Sequence, residues 1–421
     1  MDRHKHREFL LGMFRAAVEA ATPERVIPRF LPERPKGRTV VIGAGKASAA
    51  MARALEQHWD GPLTGLVVTR YGHAVPCKKI EIVEAAHPLP DSSSLHSAER
   101  MLSLVKGLTK DDLVIALFSG GGSSLLALPA DGISFNEKRA INRFLLQSGI
   151  PISQMNCLRK HISAIKGGRL AVAAYPARIV NLVISDVPED DASAIASGPT
   201  LPDSTTNEQA LEVAQRHGFV LPDSVRKHLK RKDTETPKPN DVRFADTETK
   251  IVASPQLSLE AAAAFAVKQG VAPLILGDSI EAESRELGFA MAGIARQAQK
   301  FAQPAVPPCV LISGGETTVT VRGDGSGGRN VEFLLAMALK LNAAQGIHAL
   351  AADTDGVDGS REIAGAMIFP DTLARARTIG IDAWGALKNN DAHRFFEVLG
   401  DQVITGPTLT NVNDFRVALI S

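Results

Sequence analysis

The chain has 421 residues, 44% hydrophobic and 22% charged, enough for two domains with sizeable cores. Its 47 basic and 46 acidic residues leave a net charge of +1, which argues against a nucleic-acid partner or a membrane surface. Three dispersed cysteines (Cys77, Cys157, Cys309) without a CxxC argue against a disulfide framework or a zinc site and fit a reducing cytoplasm.

The N-terminal stretch MDRHKHREFLLGMFRAAVEAA reads as an amphipathic helix, because Glu8, Arg15 and Glu19 interrupt its apolar residues. It does not read as a signal peptide, and no run of 18 apolar residues predicts a membrane span. Strands are expected at RTVVIGAG (38–45), TGLVVTR (64–70), IEIVEAA (80–86) and DLVIALFS (112–119). The helix ASAAMARALEQHW follows the first, a long helical region covers 136–174, and ARIVNLVISDV (177–187) gives another strand. The polar, proline-containing segment 221–249 reads as a linker or exposed excursion. Beyond it come IVAS (251–254), the helix SLEAAAAFAVKQG, the strand APLILGD, the helix ESRELGFAMAGIARQAQ and the strand CVLISGGE. The stretch TTVTVRG, the helix NVEFLLAMALKLN and the strand HALAADTDG (348–356) complete the reading. Such alternation predicts an α/β fold around a largely parallel sheet, divided into two α/β domains with a cleft between them.

In chain order, the first stretch with chemical promise is VVIGAGKASAAMA (40–52). GAG between a strand and a helix is close to a dinucleotide fingerprint, but its third position is Ser48, and Asp60 makes a poor ribose partner. Val40 rules out a Walker A loop. Lys46 opposes a helix dipole, so its placement suits an anion held by neighbouring loops.

LFSGGGSSLLALP (117–129) sets three glycines and two serines at a strand end. Bare backbone there can approach a phosphate or carboxylate, and a following helix start would add attraction. VISDVPEDDASAIASGPTLPD (183–203) ends a strand at Asp186, a carboxylate suited to Mg²⁺, and then offers Ser197 and Gly198 in a second exposed loop. Glu189, Asp190 and Asp191 read as solvated, around a helix at 192–196. VLISGGETT (310–318) repeats the Ser-Gly-Gly chemistry of the earlier loop. GDGSGGRNVEF (323–333) delivers Arg329 to a helix start, with Glu332 as a candidate orienting partner. AADTDGVDGS (351–360) carries Asp353, Asp355 and Asp358, read either as a cation or nucleotide loop or as an Asx-rich turn. His73, His87 and His161 pair with nothing recognisable, and no Ser-His-Asp arrangement emerges.

Glycine loops, one lysine, one arginine and strand-end aspartates point to phosphoryl transfer, which needs positioning and charge more than covalent catalysis. In order, GAGKAS, FSGGGSSLL, ISDVPEDDASAIASGPT, ISGGETTVTV, GGRNVEF and TDGVDG resemble the glycerate 2-kinase family, whose C-terminal part is the MOFRL domain. The resemblance implies a Rossmann-like domain at 1–240 and a smaller α/β domain at 250–421 containing a MOFRL region at about 305–415, with an interdomain active site. It implies ATP and Mg²⁺, D-glycerate as substrate and 2-phosphoglycerate as product, and a cytoplasmic enzyme for which a homodimer is the candidate assembly. Lys46 and Arg329 match the lysine of the GAGK motif and the arginine of the GGRN motif, and Asp186 joins them as a catalytic candidate. The expected substrate and phosphate contacts are Gly45, Ser119, Gly120, Gly121, Gly122, Ser123, Ser197, Gly198, Gly314, Gly315, Glu316 and Asn330. The expected metal ligands are Asp186, Asp353 and Asp355. Alanine at Lys46 or Arg329 is expected to lower turnover while the fold survives. The rivals are an NAD(P)H-dependent hydroxypyruvate reductase and a non-catalytic organic-acid-binding protein.

Overall fold

The computed structural model describes residues 3–359 and 361–421. Apolar runs of the first half form one six-stranded sheet: β1 (Thr39–Ala44), β2 (Thr64–Arg70), β3 (Ile80–Ala85), β4 (Leu113–Phe118), β5 (Arg178–Ile184) and β6 (Thr247–Ala253). Their order is β3-β2-β1-β4-β5-β6, the Rossmann order, and β1 to β5 pair in parallel. β1 and β4 are buried at every position, as parallel strands covered on both faces must be. The strand order reverses between β1 and β4, so their carboxyl-end loops lie side by side. That is where open α/β sheets bind ligands.

The expected long helix over 136–174 is three helices, Phe135–Gln147, Ile152–His161 and Arg169–Ala174. Pro151 stops the first pair, and Gly167 and Gly168, with φ of +57° and +83°, stop the second. The segment 221–249 is not a linker. It carries the helix Asp223–Leu229 and packs back on its own unit: Thr236 donates to Asp203 (3.0 Å), and Asn207 donates to the Arg231 carbonyl (3.0 Å). Several of its polar residues find partners locally, which composition alone does not reveal.

The second sheet contains β7 (Ala272–Gly277), β8 (Cys309–Gly315), β9 (Ile347–Asp353), β10 (Gly365–Ile368), β11 (Gln402–Val403) and β12 (Asp414–Ile420). Its order is β11-β10-β9-β12-β8-β7, and only β7 and β8 pair in parallel. The expectation of a largely parallel sheet fails here because the last strand, β12, inserts antiparallel between β8 and β9. TTVTVRG is not a strand. Thr318 makes one isolated bridge, while the N–H groups of Thr320 and Arg322 donate to the side chains of Glu283 (2.9 Å) and Asn390 (2.7 Å).

The chain divides into two compact units: Pro23–Val252, and the N-terminal segment to Thr22 together with Ala253–Ser421. The first helix, Arg3–Ala20, therefore belongs with the C-terminal unit rather than with the first domain assigned to 1–240. Leu10, Met13, Phe14 and Ala17 pack with Leu259, Ala262 and Ala266 of the helix Pro255–Lys268, an apolar face that local sequence cannot assign to either half. Among the described residues no helix is long and apolar enough to cross a membrane.

Candidate active site

In the N-terminal unit the β1 and β4 loops are sewn together. Gly45 N–H donates to the Val68 carbonyl (3.1 Å), Lys46 N–H to the Gly120 carbonyl (2.8 Å) and Ala47 N–H to Ser119 Oγ (3.1 Å). Ser48 and Ser119 hydroxyls lie 3.2 Å apart. Gly45 has φ +151°, and a Cβ there would overlap Ser119, so glycine is required twice over. The expected helix after the glycine loop is a single turn, Gly122–Leu125. Gly120 and Gly121 N–H groups meet no acceptor among the described residues. A Cβ on Gly121 would stand 3.2 Å from Lys46 Cγ and 3.1 Å from His87 Cδ2. Thus Lys46 and the loop Ser119–Ser123 converge as expected, and His87 joins them. Sequence reasoning dismissed His87, although its position just past the carboxyl end of β3 was a usable signal.

The Ser197–Gly198 loop joins the same cluster, with Ser123 and Ser197 hydroxyls 2.8 Å apart. No regular helix forms at 192–196. Instead Glu189, Asp190, Ala196 and Ser197 all take φ between +53° and +61°. Non-glycine residues held there store strain, which folds concentrate at functional sites. The strained turn is pinned from behind: Asn156 donates to the Ala194 carbonyl (3.1 Å) and accepts from Ser197 Oγ (3.0 Å), while Lys166 Nζ donates to the Ala196 carbonyl (3.0 Å). Asp186 follows β5 and is partly exposed.

In the C-terminal unit Arg329 opens the helix Arg329–Leu341 and reaches three strand ends. Its Nε donates to Asp414 (2.8 Å), its Nη2 to Asp353 (2.6 Å) and its Nη1 to Glu316. Asp414 pairs across the sheet with both Gly315 and Asp353, which explains the convergence. Burial opposes the Arg329 charge, but Asp414, Glu316 and Asp353 hold its pKa well above the usual arginine value. The expected partner, Glu332, is elsewhere: it accepts from Arg285 (2.7 Å) and Asn390 (2.9 Å), because its position on the helix faces away from the strand ends. Asp414 is buried, which raises its pKa, yet Arg329 and Arg416 bring it below the usual carboxylate value. Asn330 adds a bond to Asp414 (2.8 Å). Sequence reading missed Asp414 and Arg416, although an acid and an arginine two residues apart on a strand share one face.

The glycines of the SGGE motif lie inside β8, where Arg416 donates to the carbonyls of Gly314 (3.0 Å) and Gly315 (3.2 Å). A Cβ on Gly315 would overlap the Ile280 backbone, so packing accounts for that glycine. The aspartates of TDGVDG form successive Asx turns, Asp355 N–H to Asp353 (2.9 Å) and Val357 N–H to Asp355 (2.8 Å). Asp358 caps the Arg329–Leu341 helix through Asn330 N–H (3.1 Å) and Val331 N–H (3.0 Å). Burial pushes the Asp358 pKa up to about 6, outweighing those two donors.

Among the described residues no three His, Cys, Asp or Glu side chains are grouped to hold a metal. Mg²⁺ needs less, commonly one or two carboxylates plus phosphate oxygens. Asp353 fits that requirement poorly, because its Oδ1 and Oδ2 accept from the Asp355 N–H and Arg329.

Residues 9–230 match a domain described as of unknown function, DUF4147, and residues 309–414 match the MOFRL family. An Agrobacterium vitis protein, provisionally named hydroxypyruvate reductase, is 53% identical over 98% of this chain and 94% of its own length. The D-glycerate 2-kinase of Thermotoga maritima is 37% identical over 100% of this chain and 99% of its own. A crystal structure of glycerate kinase from Thermotoga maritima superposes with a TM-score of 0.90 at 36% identity, covering 99% of this chain and 100% of that one.

Proposed function

The chain belongs to the glycerate kinase family with a MOFRL domain, and we propose that it transfers the γ-phosphoryl group of ATP to the 2-hydroxyl of D-glycerate. The observation that carries this reading is the full-length likeness to the Thermotoga maritima D-glycerate 2-kinase. The loop chemistry agrees with it. The Gly120 and Gly121 amides, which meet no acceptor among the described residues, lie beside the Lys46 stem at the switch point of a Rossmann sheet.

In the proposed reaction the 2-hydroxyl oxygen attacks the γ-phosphorus. The new P–O bond forms as the bond to the ADP oxygen breaks, and the hydroxyl proton is released. Lys46 neutralises charge on the transferring group, and the Gly120 and Gly121 N–H groups hold an anionic oxygen. Asp186 orients the hydroxyl or would hold the metal. Mg²⁺, when bound, would offset the phosphate charge that these few donors leave unmatched. Arg329 has its charge met by three carboxylates, so it acts by fixing Glu316, Asp353 and Asp414 rather than as a free phosphate contact. Three free cysteines agree with a cytoplasmic enzyme.

One observation favours the reductase reading, the provisional name of the Agrobacterium vitis relative. The β1 loop opposes it. A dinucleotide pyrophosphate would need that loop's amides, but those of Gly45, Lys46 and Ala47 already donate to Val68, Gly120 and Ser119. Two assays of purified protein decide the matter. D-glycerate with ATP and Mg²⁺ should release ADP, whereas hydroxypyruvate with NADH or NADPH should oxidise no cofactor. The reverse pattern would replace the kinase by the reductase, and silence in both arms would favour a binding protein.

A further inference from the structure

We propose that Arg159, with Lys166 beside it, is the clamp for the carboxylate of the three-carbon acid substrate, an assignment that rests on the kinase reading above. Arg159 lies on the helix Ile152–His161, one turn beyond Asn156 and on the same face. It is only 9% exposed, and among the described residues it makes no hydrogen bond or ion pair. Burial pushes its pKa down to about 10, with no carboxylate offsetting the effect.

Its surroundings deepen the imbalance. Lys166 is 1% exposed, and its ammonium donates to one neutral acceptor, the Ala196 carbonyl. Burial lowers its pKa, and the charged groups that add to this are Lys138 and Arg159, both cations. Two neighbouring basic residues do have fuller sets of partners. Lys160 pairs with Asp203 at 3.2 Å and Arg169 donates to the Lys160 and Thr234 carbonyls, whereas Lys138, like Lys166, donates only to a neutral carbonyl, that of Ile162 at 3.0 Å. Burying a cation without an anion costs several kcal/mol, so a fold that keeps such side chains together has a use for the missing anion.

The location identifies that anion. Lys166 and Asn156 both grip the strained turn carrying Ser197, and Ser197 touches Ser123 of the glycine loop. The unmatched charge is therefore joined, through the Ser197 turn, to the glycine loop of the candidate site. A guanidinium offers two parallel N–H groups, the match for a carboxylate. A carboxylate also keeps its charge throughout phosphoryl transfer, so a fixed buried cation serves substrate and product alike.

The test uses full-length Arg159→Met and Arg159→Lys proteins, steady-state kinetics varying D-glycerate and ATP separately, and thermal unfolding with and without D-glycerate. Arg159→Met should unfold at or above the wild-type temperature, because an unmatched buried charge is gone. Its KM for D-glycerate should rise roughly 10²-fold, the scale of losing a buried charged partner, with KM for ATP unchanged. D-glycerate should stabilise the wild type and not Arg159→Met, and Arg159→Lys should fall between them. An unchanged KM for D-glycerate, an effect on KM for ATP instead, or a marked loss of stability in Arg159→Met would each overturn the assignment. If the wild type does not phosphorylate D-glycerate, the kinase reading fails on its own. The clamp then stands only if D-glycerate or tartronate raises the unfolding temperature of the wild type but not of Arg159→Met, and Arg159-dependent stabilisation by inorganic phosphate alone would overturn it.

Discussion

Arg329 and Asp414, 85 positions apart in the chain, are joined by an Nε–Oδ1 hydrogen bond of 2.8 Å. Asp414 also accepts from Arg416 (2.8 Å) and Asn330 (2.8 Å), so one buried carboxylate ties a helix start to the central strand of the second sheet. Removing one partner of a buried pair leaves the other charge uncompensated, at a cost of about 3–5 kcal/mol. Arg329→Ala should therefore lower both stability and turnover, contrary to the expectation from sequence that the fold survives untouched. Urea denaturation of the variant checks this. An unchanged midpoint would mean that the carboxylates relax and that Arg329 is free for substrate.

Lys46 is the contrasting case. It is partly exposed, on the stem side of the glycine loop. Lys46→Met should reduce kcat by about 10²-fold, the usual effect of losing one charge-stabilising donor, with a much smaller effect on the unfolding midpoint. Pre-steady-state ADP formation is the direct readout, and a normal rate of the chemical step would remove Lys46 from the mechanism.

The two-loop knot predicts a sharp difference between two glycines. Gly45→Ala forces a side chain into Ser119 at a φ of +151°, so both activity and stability should fall. Gly293 lies exposed within the helix Ser284–Phe301, with open space at its Cβ position. Gly293→Ala should raise stability by about 0.5–1 kcal/mol and leave turnover alone. Equal effects of the two changes on melting and activity would refute the packing account of Gly45.

Much of the N-terminal site was legible in the sequence. Buried parallel strands read as plain apolar runs, and the glycines of GAGK and SGGGSS mark places where backbone passes backbone. The C-terminal site was less so. β12 opens with two charged residues, Asp414 and Arg416, which neutralise each other inside, and its insertion between β8 and β9 is a long-range pairing with no local signal. Arg159 failed to stand out because an arginine on a helix is ordinarily solvated; only its burial among cations distinguishes it. Segment 221–249 misled for the opposite reason, since its polar side chains find partners within the fold.

Asp112 gives a pH test of the first sheet. Burial would raise its pKa, but the N–H groups of Arg38 (2.6 Å) and Thr109 (2.7 Å), with their side chains, bring it down to about 2. A carboxylate depressed in the folded state stabilises above its unfolded value near 3.8, and that contribution is lost as pH falls toward 2. Asp112→Ala should cost about 2 kcal/mol near neutrality. Its deficit against the wild type should narrow below about pH 4. A pH-independent difference between the two proteins would show that Asp112 acts through shape rather than charge.

The central claim is transfer of phosphate to the 2-hydroxyl of D-glycerate, and proton-coupled ³¹P NMR of the wild-type reaction mixture tests it most directly. Phosphate on the secondary oxygen couples to one carbon-bound proton and should give a doublet that grows as ATP is consumed. A triplet, from phosphate on the primary carbon, or no phosphorylated acid at all, would contradict the account.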